Sequence, residues 1–164
     1  MAVADARARP LDMIFSRSSQ YAIQALVLLA SEPAGSHVLC RTLATRLGLP
    51  LPYLSKLMQE FSRRGIVGSV RGRQGGYTML RSADQVSLLE VMTVIGGERA
   101  TTECFLGFKE CSDDTACAMH CVWRPVKEKL FRLLREQNLG KLVEAVKHGR
   151  CQLGALNVED LARF

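Results

Sequence analysis

The chain has 164 residues, a formal net charge of +6 and six cysteines. That length suffices for one domain with a real core and an added helix for pairing. Its longest apolar run, Tyr21 to Ala30, is about half a membrane span, so a bilayer-crossing helix is not expected. The first ten residues, MAVADARARP, carry no apolar stretch, so the expected setting is cytoplasmic, where cysteines serve metal or redox chemistry more often than disulfides.

Charge is uneven. Residues 1–81 hold eleven Lys/Arg against four acidic residues, net +7, whereas residues 82–164 hold eleven against twelve, net −1. A basic first half joined to a neutral second half suggests that one part meets a polyanion and the other does something else.

Residues 1–12 lack periodicity and read as a flexible extension. A first helix is expected over Ser18 to Ala30, with Tyr21, Ala25, Leu28 and Leu29 on one face and Pro33 and Gly35 beyond its end. A second, from about Val38 to Leu47, aligns Leu39, Leu43 and Leu47 and is closed by Gly48. A third starts at Pro50–Pro52, where proline suits a first turn, and runs to Arg64 with Leu54, Leu57, Met58 and Phe61 as its stripe. Ile66 to Val70 and Tyr77 to Leu80 read as strands flanking a glycine-rich tip. Ser87 three residues before Glu90 has capping-box spacing and predicts a helix over Leu88 to Ile95, stopped by Gly96–Gly97. Residues 98–121 form a cysteine-rich loop. A long amphipathic helix then runs from near Met119 to Gln137, its apolar face marked by Val122, Val126, Leu130, Leu133 and Leu134, with Trp123 beside it. Asn138 caps a short helix over Leu139 to Lys147, and 149–164 is a tail.

Two short helices joined at Gly48 and followed by a hairpin predict a mainly α fold with a small β-hairpin wing, a winged helix-turn-helix domain over 13–97. In that motif the second of the two helices reads the groove. Pro52, Tyr53, Ser55 and Lys56 lie near its N-terminus, off the apolar stripe, where side chains and the positive dipole end can meet phosphates and base edges. Arg63 extends the basic face. The tip Arg71-Gly72-Arg73-Gln74-Gly75-Gly76-Tyr77 sets two guanidinium groups on a turn able to approach a sugar-phosphate backbone. DNA binding explains this set better than an exposed hairpin with incidental arginines.

Cys104, Cys111 and Cys117 follow one another in the loop at spacings x6 and x5, with His120 and Cys121 at the start of the long helix. Soft thiolates gathered in one loop can close around an iron–sulfur cluster or a metal ion. A Cys₃His set also suits tetrahedral zinc, although the tight x2–4 pairs of structural zinc sites are absent. Inert cysteines are the bland alternative. No nucleophile–base pair, carboxylate pair or nucleotide loop stands out, so an enzyme is not expected.

The string from Tyr53-Leu54 through Gly65-Ile66-Val67-Gly68-Ser69-Val70 and the tip motif to Tyr77 resembles the Rrf-two family of bacterial regulators, of the iron–sulfur cluster regulator and nitric-oxide-sensitive repressor type. The resemblance covers about Met13 to Lys147. It implies a homodimer held by the long helix within 119–148, a roughly palindromic double-stranded operator, and an operator affinity controlled by a cluster that senses iron, redox state or nitric oxide. The loop matches the family's pattern of three cysteines, then Cys117-x2-His120-x2-Trp123. His120 thereby inherits the fourth-ligand role beside Cys104, Cys111 and Cys117. Other members use an acidic residue on the partner's first helix, and the matching position here is Gln20, a poor iron ligand. Cys121 is the competing fourth ligand, about 100° further around the helix. The x6 gap leaves [2Fe–2S] and [4Fe–4S] both open. A cluster-free thiol-redox or zinc-stabilised regulator of the same fold is the alternative. Ser55 stands where some relatives carry an acidic residue, so the resemblance gives no operator sequence. Cys40 reads as a small core residue and Cys151 as a thiol in the tail; His37 and His148 read as surface residues.

Overall fold

Ser16 opens the described chain by accepting the Ser19 N–H, which caps helix α1 (Arg17–Ser31). The computed structural model describes residues 16–72, 75–97, 104, 106, 113–114 and 116–148. Within them α1 is followed by α2 (Cys40–Leu47), α3 (Leu51–Arg63), the strands β1 (Val67–Val70) and β2 (Gly76–Met79), a 3-10 turn at Ala83–Gln85, and α4 (Leu88–Gly96). Helices α5 (His120–Glu136) and α6 (Leu139–Lys147) complete the order. The architecture is thus mainly helical with one antiparallel hairpin, as expected. The proposed extension 1–12 and tail 149–164, and most of the loop 98–121, lie outside the described residues.

Helix α1 is the central strut. Ala22, Ala25, Leu26, Val27, Leu28 and Leu29 are all buried, covering more than one face, because α2, α3, α4, α6 and β2 pack around it. The α3 stripe Leu54, Leu57, Met58 and Phe61 is buried as its spacing predicts. At Gly48 the chain turns with φ +62, the left-handed conformation that glycine adopts without a Cβ penalty, and its N–H closes α2 on Ala44 O. Ser87 Oγ accepts the Glu90 N–H at 3.1 Å and starts α4.

Three elements differ from the sequence reading. Helix α2 begins at Cys40 rather than Val38, because Val38 exchanges two backbone hydrogen bonds with Tyr77, at 2.9 and 2.8 Å, and stays extended. Leu39, placed in the helix stripe by its spacing, is therefore the N-cap residue and 45% exposed. The hairpin pairs Val67 with Met79 and Val70 with Gly76, so the second strand starts one residue early and Ile66 sits in the core below it. Helix α6, grouped by sequence with the dimerisation helix, docks on the first domain instead. Leu139, Val143 and Val146 enter the core beside α1, and Leu139 N–H bonds Val86 O at 3.0 Å.

Candidate nucleic-acid interface and cysteine centre

The start of α3 is fastened to the rest of the head by two of its own polar side chains. Tyr53 Oη lies 2.9 Å from Ser18 Oγ on α1, and its ring meets Tyr21 edge-on at 6.2 Å. Ser55 Oγ lies 3.3 Å from Cys40 Sγ at the start of α2. Both residues are half-buried, whereas Pro52 and Lys56 are exposed on the same two turns. Arg63 is exposed and pairs with Glu60 at 2.6 Å. Ser18, Tyr21 and Cys40 carry the support of this face, and no local spacing marks them, since each lies more than ten residues from its partner.

The wing divides in the same way. Arg71 and Gly72 are exposed near its tip, and Arg73 and Gln74 lie outside the described residues. Gly76 crosses so close to the α2 lead-in that a Cβ there would stand 2.4 Å from Val38 O, at φ +143. Gly75 is buried, with Val70 O 2.1 Å from where its Cβ would be. Tyr77, placed by sequence among the DNA-facing residues, is 8% exposed and belongs to the core. Its phenol pKa is raised, chiefly by burial and then by the Cys40 thiol, against a hydrogen bond with Ser69 that lowers it. The glycine pair and Tyr77 thus build the wing's base, and the exposed Arg71 stands on it.

The cysteine centre lies where the loop meets α5. Cys104 is buried with its sulfur 3.5 Å from that of Cys117. One turn brings Cys117 O against the His120 N–H at 2.9 Å, so the first residue of α5 stays next to the second sulfur's backbone. His120 is buried, and its Nε2 lies 3.1 Å from Asp113 Oδ1. The Arg124 guanidinium, one turn along α5, donates to the same oxygen, and its Nε reaches Glu128 Oε1 at 3.0 Å. These bonds, from Arg124 first and His120 second, hold the Asp113 carboxyl below the usual carboxylate range. Sequence reading passed over Asp113 and Arg124 as site residues. The i, i+4 pair Arg124–Glu128 was visible, but nothing local tied it to Asp113.

Cys121 is exposed, and Cys40 is half-buried in the DNA head rather than fully inside. His37 and His148 are exposed. Cys111 and Cys151 lie outside the described residues, and among the described residues no three His, Cys, Asp or Glu side chains converge on one metal position. The donor chemistry nonetheless fits an iron–sulfur centre. Two thiols are already in contact, and a buried imidazole begins the adjoining helix with a carboxylate 3.1 Å from its Nε2.

Similar proteins agree on the class. An HTH-type transcriptional regulator assignment in Aquifex aeolicus belongs to a protein 32% identical over 133 residues, which span 80% of this chain and 92% of that protein. The HTH-type transcriptional regulator IscR of Cronobacter sakazakii is 30% identical over 131 residues, covering 80% of each chain. Among solved structures, T. potens IscR shares 26% identity with a TM-score of 0.65 over 83% of this chain and 90% of its own. The fold is also that of CymR, the global cysteine regulator of B. subtilis, with a TM-score of 0.67 at 21% identity over 79% of this chain and 95% of that one. These relatives are DNA-binding transcription regulators, not enzymes. No helix among the described residues is long and apolar enough to cross a membrane. The family model for Rrf2, described as an iron-dependent transcriptional regulator, matches residues 15–145, and the chain belongs to that family.

Proposed function

We propose that this regulator binds its operator with an affinity set by an iron–sulfur cluster, [2Fe–2S] or [4Fe–4S], held by Cys104, Cys111, Cys117 and His120. The observation that carries the reading is the contact of two loop sulfurs at 3.5 Å, with the buried His120 following Cys117 by one turn at the start of α5. In this reading Cys104, Cys111 and Cys117 tie the loop together, and His120 ties the loop to α5. The α5 helix pairs two copies of the chain, so fixing its first turn fixes the spacing of the two α3 helices on a roughly palindromic duplex. Pro52, Lys56 and Arg63 face the groove and its phosphates, with Tyr53 and Ser55 holding their helix in place. Arg71, Arg73 and Gln74 reach the backbone or minor groove from the wing, on the base formed by Gly75, Gly76 and Tyr77. A coupling of about 1–3 kcal/mol between loop order and DNA contact changes affinity roughly 5–150-fold, enough for a switch responding to iron, redox state or nitric oxide.

A second reading is a cluster-free regulator in which Cys104 and Cys117 act as a redox pair, since their sulfurs already touch. Zinc in a Cys₃His site is its metal-bound counterpart. Oxygen-free purification followed by absorption spectroscopy and iron, zinc and sulfide counts separates them. Iron and acid-labile sulfide in matched amounts support the cluster. Zinc without sulfide, or a colourless protein that cannot be reconstituted with iron and sulfide, overturns it.

A further inference from the structure

We infer that Asp113 is the positioning residue for His120: its carboxylate fixes the orientation and tautomer of the imidazole while the ring's other nitrogen binds iron. The assignment rests on the cluster reading above. An ionised carboxylate only accepts hydrogen bonds, so the 3.1 Å contact between Asp113 Oδ1 and His120 Nε2 puts the ring proton on Nε2. A neutral imidazole then carries its lone pair on Nδ1, which becomes the iron-binding atom. Metal-bound histidines commonly donate their second N–H to a carboxylate, which locks the ring and makes it a stronger donor.

Asp113 is itself held in place. Arg124 donates to the same Oδ1, and Glu128 accepts from Arg124 Nε at 3.0 Å. The relay Glu128–Arg124–Asp113–His120 therefore runs from the third turn of α5 back to its first residue by way of the loop. Three of the four side chains are exposed and His120 alone is buried. As a mere surface ion pair, Asp113–Arg124 would contribute little to stability and nothing to iron binding. The buried end of the relay is what makes its orientation matter.

The test uses the full chain, reconstituted without oxygen, as wild type and as Asp113→Ala, Asp113→Asn and Asp113→Glu. Asp113 is exposed, so the variants are expected to fold, and circular dichroism checks this. Expected are a loss of iron affinity of about 10–100-fold against a competing chelator in the Ala and Asn variants, an upward shift of the cluster's midpoint potential, and recovery of both in Asp113→Glu. Wild type carrying histidine labelled with ¹⁵N at Nδ1 alone should show a directly bonded coupling in the reduced, paramagnetic protein. A wild type that loads iron while Asp113→Ala matches it in retention and potential overturns the assignment alone, as does the absence of any Nδ1 coupling. A wild type that takes up neither iron nor sulfide overturns the cluster reading and this assignment with it.

Discussion

Tyr77 joins the wing to the helical core through both its backbone and its ring. The backbone pairs with Val38, and the buried phenol belongs to the cross-strand partner of Ser69 in the hairpin. Burial keeps the phenol protonated to higher pH than an ordinary tyrosine, with the nearby Cys40 thiol adding to the effect. The unfolded chain releases this proton near the ordinary value of 10.0 and the folded chain releases it later. Stability from this group is therefore complete below pH 10 and declines as pH climbs from there through the folded value. Urea titrations at several alkaline pH values should show a steeper loss in wild type than in Tyr77→Phe; equal slopes would remove burial of the phenol as the cause. Gly76, one residue earlier, has no room for a side chain. Gly76→Ala should cost about 1–3 kcal/mol from backbone strain alone, with more from the contact with Val38, read as a lower denaturation midpoint at unchanged slope. A midpoint equal to that of wild type would mean the wing can lift off the α2 lead-in without cost.

At the scale of elements, cations that spacing placed on the DNA face stand where they can be tested one by one. Lys56 on α3 and Arg71 on the wing are both exposed and come from different elements. Replacing either with Ala should weaken binding to every duplex and reduce the slope of log affinity against log salt by about one; an unchanged slope for Arg71→Ala would take the wing off the phosphates. What the sequence made legible here were the features with local causes: the Gly48 and Ser87 caps, and the α3 stripe, each set within a few residues. The features it hid have distant causes. Val38 stays extended because Tyr77 pairs with it from 39 residues away, and no local rule opposes its placement in α2. Leu139, Val143 and Val146 show a helical stripe, but nothing in the stripe says that it packs on α1. At the cysteine centre the residue types were legible, yet Asp113 reached His120 only through the path of the loop. Pro125 stands inside α5. Lacking an N–H, it leaves Cys121 O without its helical donor just after the centre.

On the scale of the whole molecule, α5 is the helix that leaves the most large apolar side chains in water among the described residues. Val122, Val126 and Leu133 are 64%, 53% and 52% exposed, while Leu134, about 100° further round the helix than Leu133, is buried. The spacing of 122, 126 and 133 puts the exposed three along one face over about three turns. Exposed apolar residues aligned in this way fit a surface that meets a partner. Because α6 folds back onto α1 after α5, the two ends of α5 are tied differently, to the cysteine centre at His120 and to the DNA head at Gln137, whose carbonyl accepts the Leu88 N–H at 3.0 Å. A second copy seated on this face would thus link both cysteine centres and both α3 helices through one pair of helices. Val126→Asp places a charge in the middle of the strip, away from the core, so the head should fold while the pair separates. Sedimentation should show a dimer for wild type and a monomer for the variant. The variant should also bind a single half-site as wild type does, but lose the gain in affinity that a second, properly spaced half-site provides. If Val126→Asp still sediments as a dimer, pairing runs through another surface, and control of α3 spacing by α5 falls with it.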